Sequence, residues 1–202
     1  MNEGLQQKFT DAIWVAKSLF ERNKTSGSSA NMSFRHEGKI FITASGTCFG
    51  RLTRDDFACI DSEGHWLGER KPSKEFPLHR MLFQKSETIQ CVIHTHSTYS
   101  VLWSCLDYEN LADIVPDYTP YLKMKVGRIG CIPYAAPGSQ ELVELFRERI
   151  HESDGYILKN HGPILGGKSI LDAFYGLEEL EESTRIAWLL REEKHYAEKR
   201  NS

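Results

Sequence analysis

The sequence predicts a single α/β domain in which helices flank a mixed or antiparallel central sheet. Apolar residues recur at helical spacing at both ends of the chain, and short β-branched runs fill the middle between Gly, Asn and Ser turns. Strand-like and helix-like segments alternate irregularly, which favours a mixed sheet. The 202 residues suit one domain, 1–202, with enough chain for a real core, and no repeat, low-complexity run or linker divides them.

The elements follow in order. Leu5 to Arg22 carries Phe9, Ile13, Val15, Ala16, Leu19 and Phe20 on a helical period, an amphipathic helix. A small polar stretch, Thr25 to Ser33, precedes FRHEGKIFITASG, read as two short strands around the turn residues Glu37 and Gly38. Ser45 and Gly46 end the second strand in a tight turn. Thr53 is placed to cap a short turn over Asp55 and Asp56. FACIDSEGHWLG reads as a hairpin turning at Ser62 to Gly64. Glu75 to Lys85 reads as a helix, with Pro77 tolerated in its first turn. QCVIHTH is a β-branched strand, followed by a helix over Thr98 to Leu106. ILKNHGPILGG pairs a strand, a turn and a strand. From Ser169 to about Lys199 runs one long helix or two joined ones, rich in i,i+4 Glu/Lys and Glu/Arg pairs.

Composition excludes several classes. Hydrophobic residues at 40% and charged residues at 26% describe a globular chain. A net charge of −3 offers no basic field for a nucleic-acid backbone. Five cysteines, an odd and widely spaced set without a C-x-x-C pair, read as reduced thiols and not as a disulfide framework. Met1 to Thr10 has no apolar signal core, and no apolar run approaches the roughly 20 residues that span a bilayer. The expected location is the cytoplasm.

The chemistry-bearing residues begin with His94 and His96. Two apart in a strand-like run, their rings face one way and can chelate one metal. An H-x-H pair alone is equally the mark of two half-buried polar residues. His161, in KNHGP past a second apolar strand, and Glu75, at a helix start, favour a site: three nitrogens and a nearby oxygen suit zinc. A second group consists of polar turns: Ser28, Ser29 and Asn31; Thr43, Ser45 and Gly46; Ser73 and Lys74. Hydroxyls, turn amides and one lysine suit a phosphate, although such turns occur in every protein. Tyr118 and Tyr121 offer phenols for proton donation, or simply pack. Lys123, Lys125 and Arg128 could meet a substrate carboxylate, but read more simply as a solvated strand face.

Together these segments resemble the class II aldolase/adducin family. The matching stretches are SGSSANMSFR, IFITASGTCFGRLTRDDF, KPSKEFPLHRMLF, CVIHTHSTYSVLWSCL, CIPYAAPGSQEL and ILKNHGPILGGKSILDAF, in family order. The resemblance implies a three-layer α/β sandwich, a homotetramer with active sites between subunits, and zinc or a related divalent metal such as Mn2+ or Co2+. It puts His94, His96 and His161 on the metal histidines. Glu75 falls on the acidic residue that touches the metal and moves protons. Asn31, Ser45, Gly46, Ser73 and Lys74 fall on the phosphate turns, with Ala30 where the family usually has glycine. Tyr121, with Tyr118 as the alternative, falls on the proton-donating tyrosine.

Within the family, TPYLKMKVG and KPSKE look most like the 3-oxo-tetronate 4-phosphate decarboxylases. The implied substrate is a small phosphorylated sugar acid, yielding dihydroxyacetone phosphate and carbon dioxide. An aldolase acting on a ketose 1-phosphate such as L-fuculose 1-phosphate is the alternative. The epimerase branch carries Asp where Glu75 stands. A non-catalytic adducin-like binding domain is disfavoured, because that branch has lost metal ligands that are present here.

Overall fold

The computed structural model describes residues 2–200. The periodic N-terminal segment becomes helix α1 (Glu3–Glu21), which buries Phe9, Ala12, Val15, Ala16 and Leu19; Asn2 caps it by accepting from the Gly4 amide. Two strands follow, β1 (Asn31–His36) and β2 (Lys39–Thr43). Their turn places Glu37 and Gly38 at positive φ, the left-handed geometry a tight hairpin demands. β1 starts earlier than the sequence suggests, inside the polar stretch. Polar Asn31 and Ser33 are in strand because β5 pairs with them across the sheet.

Thr53 and Asp56 form a reciprocal cap around a short 3-10 turn, Arg54–Asp56. The expected hairpin is β3 (Phe57–Ile60) and β4 (Trp66–Leu67). Helix α2 (Phe76–Lys85) opens on Glu75 as its N-cap residue. β5 (Cys91–His94) and α3 (Thr98–Ser104) follow. Then come α4 (Tyr121–Lys125), β6 (Ile129–Ile132) and α5 (Gln140–Arg149). These three have no counterpart among the expected elements. α4 also replaces the expected solvated strand: Pro120 caps it, Lys123 pairs with Asp113, and Lys125 pairs with Asp172 at 2.6 Å. β7 (Gly155–Leu158), β8 (Gly162–Gly167) and one continuous α6 (Ile170–Arg200) complete the chain.

The eight strands form one sheet in the order β4-β3-β2-β1-β5-β8-β7-β6. Every pairing is antiparallel except β6 with β7, which run parallel. That parallel pair needs a crossover, and α5 supplies it. Strand alternation then splits the core into two faces. Cys91 and Ile93 pack with α1, α3, α4 and α6, while Val92 packs with α2 and α5. The result is helix, sheet, helix: a three-layer sandwich with a mixed sheet. All five cysteines are unpaired. No described helix is long and apolar enough to cross a membrane.

Candidate metal centre and substrate cavity

Three separate backbone devices bring the histidines together. His94 ends β5 and is fully buried. His96 lies two residues beyond it, past the strand. His161 sits in the turn between β7 and β8, where Asn160 takes a positive φ of 56°. Gly162 allows that turn to close onto the β5 end, because a Cβ there would stand 2.3 Å from the Thr95 carbonyl oxygen. The three rings then lie with centroids 4.7 to 5.1 Å apart. Their candidate ligand nitrogens all fall within 4.8 Å of one another.

The protonation pattern suits a cation. His94 Nδ1 lies 2.8 Å from the Pro163 carbonyl, so it carries the proton and Nε2 presents its lone pair. His94 Nε2 and His96 Nε2 are buried and make no hydrogen bond. Leaving such atoms unpaired costs free energy that a metal would recover. Glu75 closes the group. One carboxylate oxygen is 3.4 Å from His94 Nε2, and the other is 3.4 Å from His161 Nε2. Three imidazole nitrogens around one carboxylate fit a divalent cation.

The electrostatics agree. Burial holds His94 and His96 below the ordinary histidine pKa and takes His161 down to about 4, against a partial upward pull from Glu75. All three are neutral near pH 7, as ligands must be. Burial pushes the Glu75 carboxyl up, but His94, the Asn31 amide and His161 outweigh it, and the group is held below its ordinary value.

These shifts set a pH dependence. A histidine whose folded pKa is depressed takes up its proton more readily when unfolded, so its contribution is full above about pH 6.5 and is lost as pH falls toward the folded value. A carboxylate with a lowered pKa pushes the same way at lower pH. Metal-free protein should therefore lose stability steadily from pH 7 to pH 4. The loss should be on the order of a few kcal/mol, measured by thermal denaturation across that range. A flat profile would show that the histidines are not buried neutral.

The polar turns gather at the same place. A cavity of about 740 Å³ is lined by Ser28, Ser29, Ala30, Asn31, Ser45, Gly46, Ser73, Lys74, Glu75, His96, Asn160 and His161, among others. Two of the turns are tied together: the Ser45 amide donates to the Lys71 carbonyl at 2.9 Å and the Ser73 amide to the Thr43 carbonyl at 3.2 Å. Gly46 stands at φ 81°, where a side chain would be strained. Ala30 takes no positive φ, so its Cβ does not strain the turn.

Other expected residues are placed differently. Thr43 is buried, and its hydroxyl accepts from the Met32 amide, so it supports the sheet. Asn31 lines the cavity, but its side-chain amide is spent on Glu75 and His79. Tyr121 opens α4 with its side chain 60% exposed and does not line the cavity; Tyr118 is exposed too.

Two of the buried polar residues that the sequence reading did not single out support the site. Glu181, on the apolar stripe of α6 between Leu177 and Thr184, accepts from the amides of Tyr99 at 3.0 Å and Ser100 at 2.9 Å. It caps α3 from outside and so fixes the chain just after His96; Ser97, at the cap position itself, makes no capping bond. His79 lies fully buried on the inner side of α2. His79 is a polar residue among buried apolar ones on α2, and Glu181 is a charged residue within the buried stripe of α6, which is the signal that could have found them.

Comparison with known proteins agrees with this geometry. Residues 11–188 match the family model described as the class II aldolase and adducin N-terminal domain. The chain is 34% identical to the 3-oxo-tetronate 4-phosphate decarboxylase of Haemophilus influenzae, over 90% of this chain and 87% of that one. It is also 34% identical to the L-fuculose phosphate aldolase of Methanococcus maripaludis, over 90% of this chain and 96% of that one. The crystal structure of Escherichia coli YgbL superposes with a TM-score of 0.86 at 30% identity, covering 92% of this chain and 90% of that one. A fold, a histidine cluster and a family match that all coincide lead to one statement: the chain belongs to the class II aldolase/adducin family.

Proposed function

We propose that this protein is a zinc-dependent lyase that decarboxylates 3-oxo-tetronate 4-phosphate to dihydroxyacetone phosphate and carbon dioxide. The observation that carries the reading is the single cavity in which Glu75, His96 and His161 meet the turns of Ser28, Ser29, Ser45, Gly46, Ser73 and Lys74. The decarboxylase name of several relatives at 30 to 34% identity supports the choice of substrate.

In a 3-oxo acid the bond between the carboxylate and C2 breaks, and its electron pair passes toward the C3 ketone. A divalent cation on His94, His96, His161 and Glu75 supplies Lewis acidity for that electron pair; zinc suits this donor set best, with Mn2+ or Co2+ as alternatives. The hydroxyls of Ser45 and Ser73, the Gly46 amide and the Lys74 ammonium hold the phosphate. Binding energy far from the reacting bond thereby orients it. Asn31 belongs to this group through its backbone position, since its side chain is engaged elsewhere. Once carbon dioxide has left, C2 takes one proton, which we assign either to Glu75, relaying it from water in the cavity, or to Tyr121. Tyr121 takes that role only if a neighbouring copy presents it. Its exposure, and that of Met124 on the same short helix, fits a homotetramer with interfacial sites. The reaction takes place in the cytoplasm.

The aldolase reading has its own support in the fuculose phosphate aldolase relatives. The test supplies metal-reconstituted protein with 3-oxo-tetronate 4-phosphate and, separately, with L-fuculose 1-phosphate. Carbon dioxide release that stops on chelation is the expected result. Release of an aldehyde from the second substrate, with no carbon dioxide from the first, would replace the decarboxylase with the aldolase.

A further inference from the structure

β1 and α2 are joined by a buried chain of hydrogen bonds that ends on Glu75. Ser33 Oγ lies 2.7 Å from His79 Nδ1. His79 Nε2 lies 2.5 Å from Asn31 Oδ1. Asn31 Nδ2 lies 2.7 Å from Glu75 Oε2. Ser33 and His79 have no solvent exposure, and Asn31 and Glu75 have 6% and 4%.

The strand register builds this chain. Asn31 and Ser33 are two apart on β1, so they face the same side of the sheet, toward α2. Asn31 stands opposite His94 and Ser33 opposite Val92 in the antiparallel pairing with β5. Met32 and Phe34, between and after them, face the other core. One imidazole thus bridges two successive inward positions of β1, with one nitrogen on each.

Only one arrangement of protons satisfies every contact. The Glu75 carboxylate accepts, so the Asn31 amide must point its NH2 at it. Asn31 Oδ1 then faces His79 and needs a donor, so His79 Nε2 carries the proton. His79 Nδ1 is left as an acceptor, and the Ser33 hydroxyl donates to it. All donors point one way, toward the carboxylate. Burial, with His94 nearby, keeps His79 neutral by taking its pKa to about 3, which this arrangement requires.

We propose that His79 is a positioning residue: as a neutral Nε2–H tautomer set by Ser33, it locks the Asn31 amide so that Glu75 holds one oxygen toward His94 and the other toward His161. This rests on the reading of Glu75 as part of the metal centre. His79 touches neither substrate nor metal. It acts by fixing which way an otherwise reversible amide faces. A flipped Asn31 would aim a carbonyl oxygen at the carboxylate and push it away from the histidines. Partners behind a metal site commonly change metal affinity by about 10- to 100-fold.

The experiment titrates metal-free protein with zinc against a chromophoric chelator, for the wild type, His79→Asn, His79→Gln and Glu75→Gln. Gln reaches far enough to donate an N–H to Asn31 Oδ1, and Asn does not. Zinc affinity should fall by about 10-fold or more in His79→Asn and return to within about threefold of wild type in His79→Gln. A role in packing alone would not separate the two amides. Equal affinities for wild type and His79→Asn, with Glu75→Gln weakened, would overturn the positioning role and leave the metal-site reading intact. Unchanged affinity in Glu75→Gln would overturn that reading, and the inference with it. Should His79→Asn fail to fold, nitrogen-15 NMR of the wild type decides the matter. A neutral Nε2–H tautomer at pH 7 is expected, and an Nδ1–H tautomer or an imidazolium overturns the proposal.

Discussion

Replacing His94 by alanine should leave the protein without bound metal and lower carbon dioxide release by at least about 10³-fold, equivalent to roughly 4 kcal/mol of barrier. His94 is the deepest of the three rings, fully buried, with its Nδ1 proton already committed to the Pro163 carbonyl. Its Nε2 therefore has a fixed direction and one thing left to bind. Without it, two imidazoles and a carboxylate remain, and the carboxylate loses its neighbour 3.4 Å away. The Pro163 carbonyl also loses its side-chain partner but keeps the Thr95 amide, so stability should fall by only about 0.5–1.5 kcal/mol from that contact. Metal content per chain, read by elemental mass spectrometry beside a thermal melt, separates ligand loss from unfolding. A folded His94→Ala protein that still carries one metal per chain would undo the ligand assignment.

Glu75→Gln should reduce kcat by about 10² to 10⁴ while changing KM little. The substitution keeps the shape and lets the new side-chain carbonyl accept from the Asn31 amide, which donates to Glu75 at 2.7 Å. That contact orients the new NH2 group toward His161, where Glu75 now holds its second oxygen at 3.4 Å. A donor there neither supports a cation nor carries a proton to C2. The turns proposed to hold the phosphate are untouched, so substrate affinity should survive. Steady-state kinetics at saturating metal test this. A kcat within tenfold of wild type would remove Glu75 from the proton transfer.

Most of the secondary structure was legible because it follows local rules. The α1 period, the Glu37-Gly38 turn, the Thr53 cap and the β3–β4 hairpin all depend on neighbours in sequence. α5 had a local signal, the Ser139 cap with Leu142 and Phe146 four apart, that the expected elements left out; α4 and β6 were not legible. α4 is one short turn of helix held by ion pairs to distant aspartates, and β6 is four residues stabilised by its parallel pairing with β7. Such elements exist because of their partners, and local periodicity carries too little signal at that length.

The sequence by itself determined which chemistry this protein carries. The types of His94, His96, His161 and Glu75, and the polar turns, are properties of residues and of short motifs. Tertiary structure decided how these parts act on one another. Antiparallel pairing of β1 with β5 puts Asn31 beside His94, and the close pass of Gly162 by Thr95 brings His161 to the same point. Those contacts gave Asn31 a different job from the one its motif implied: it lines the cavity, but its side-chain amide is engaged by His79 and Glu75. The physical reason is that a side chain's hydrogen-bonding capacity is set by its type, whereas the partner that uses it is set by strand register. Register links residues far apart in the chain, and no local pattern encodes it.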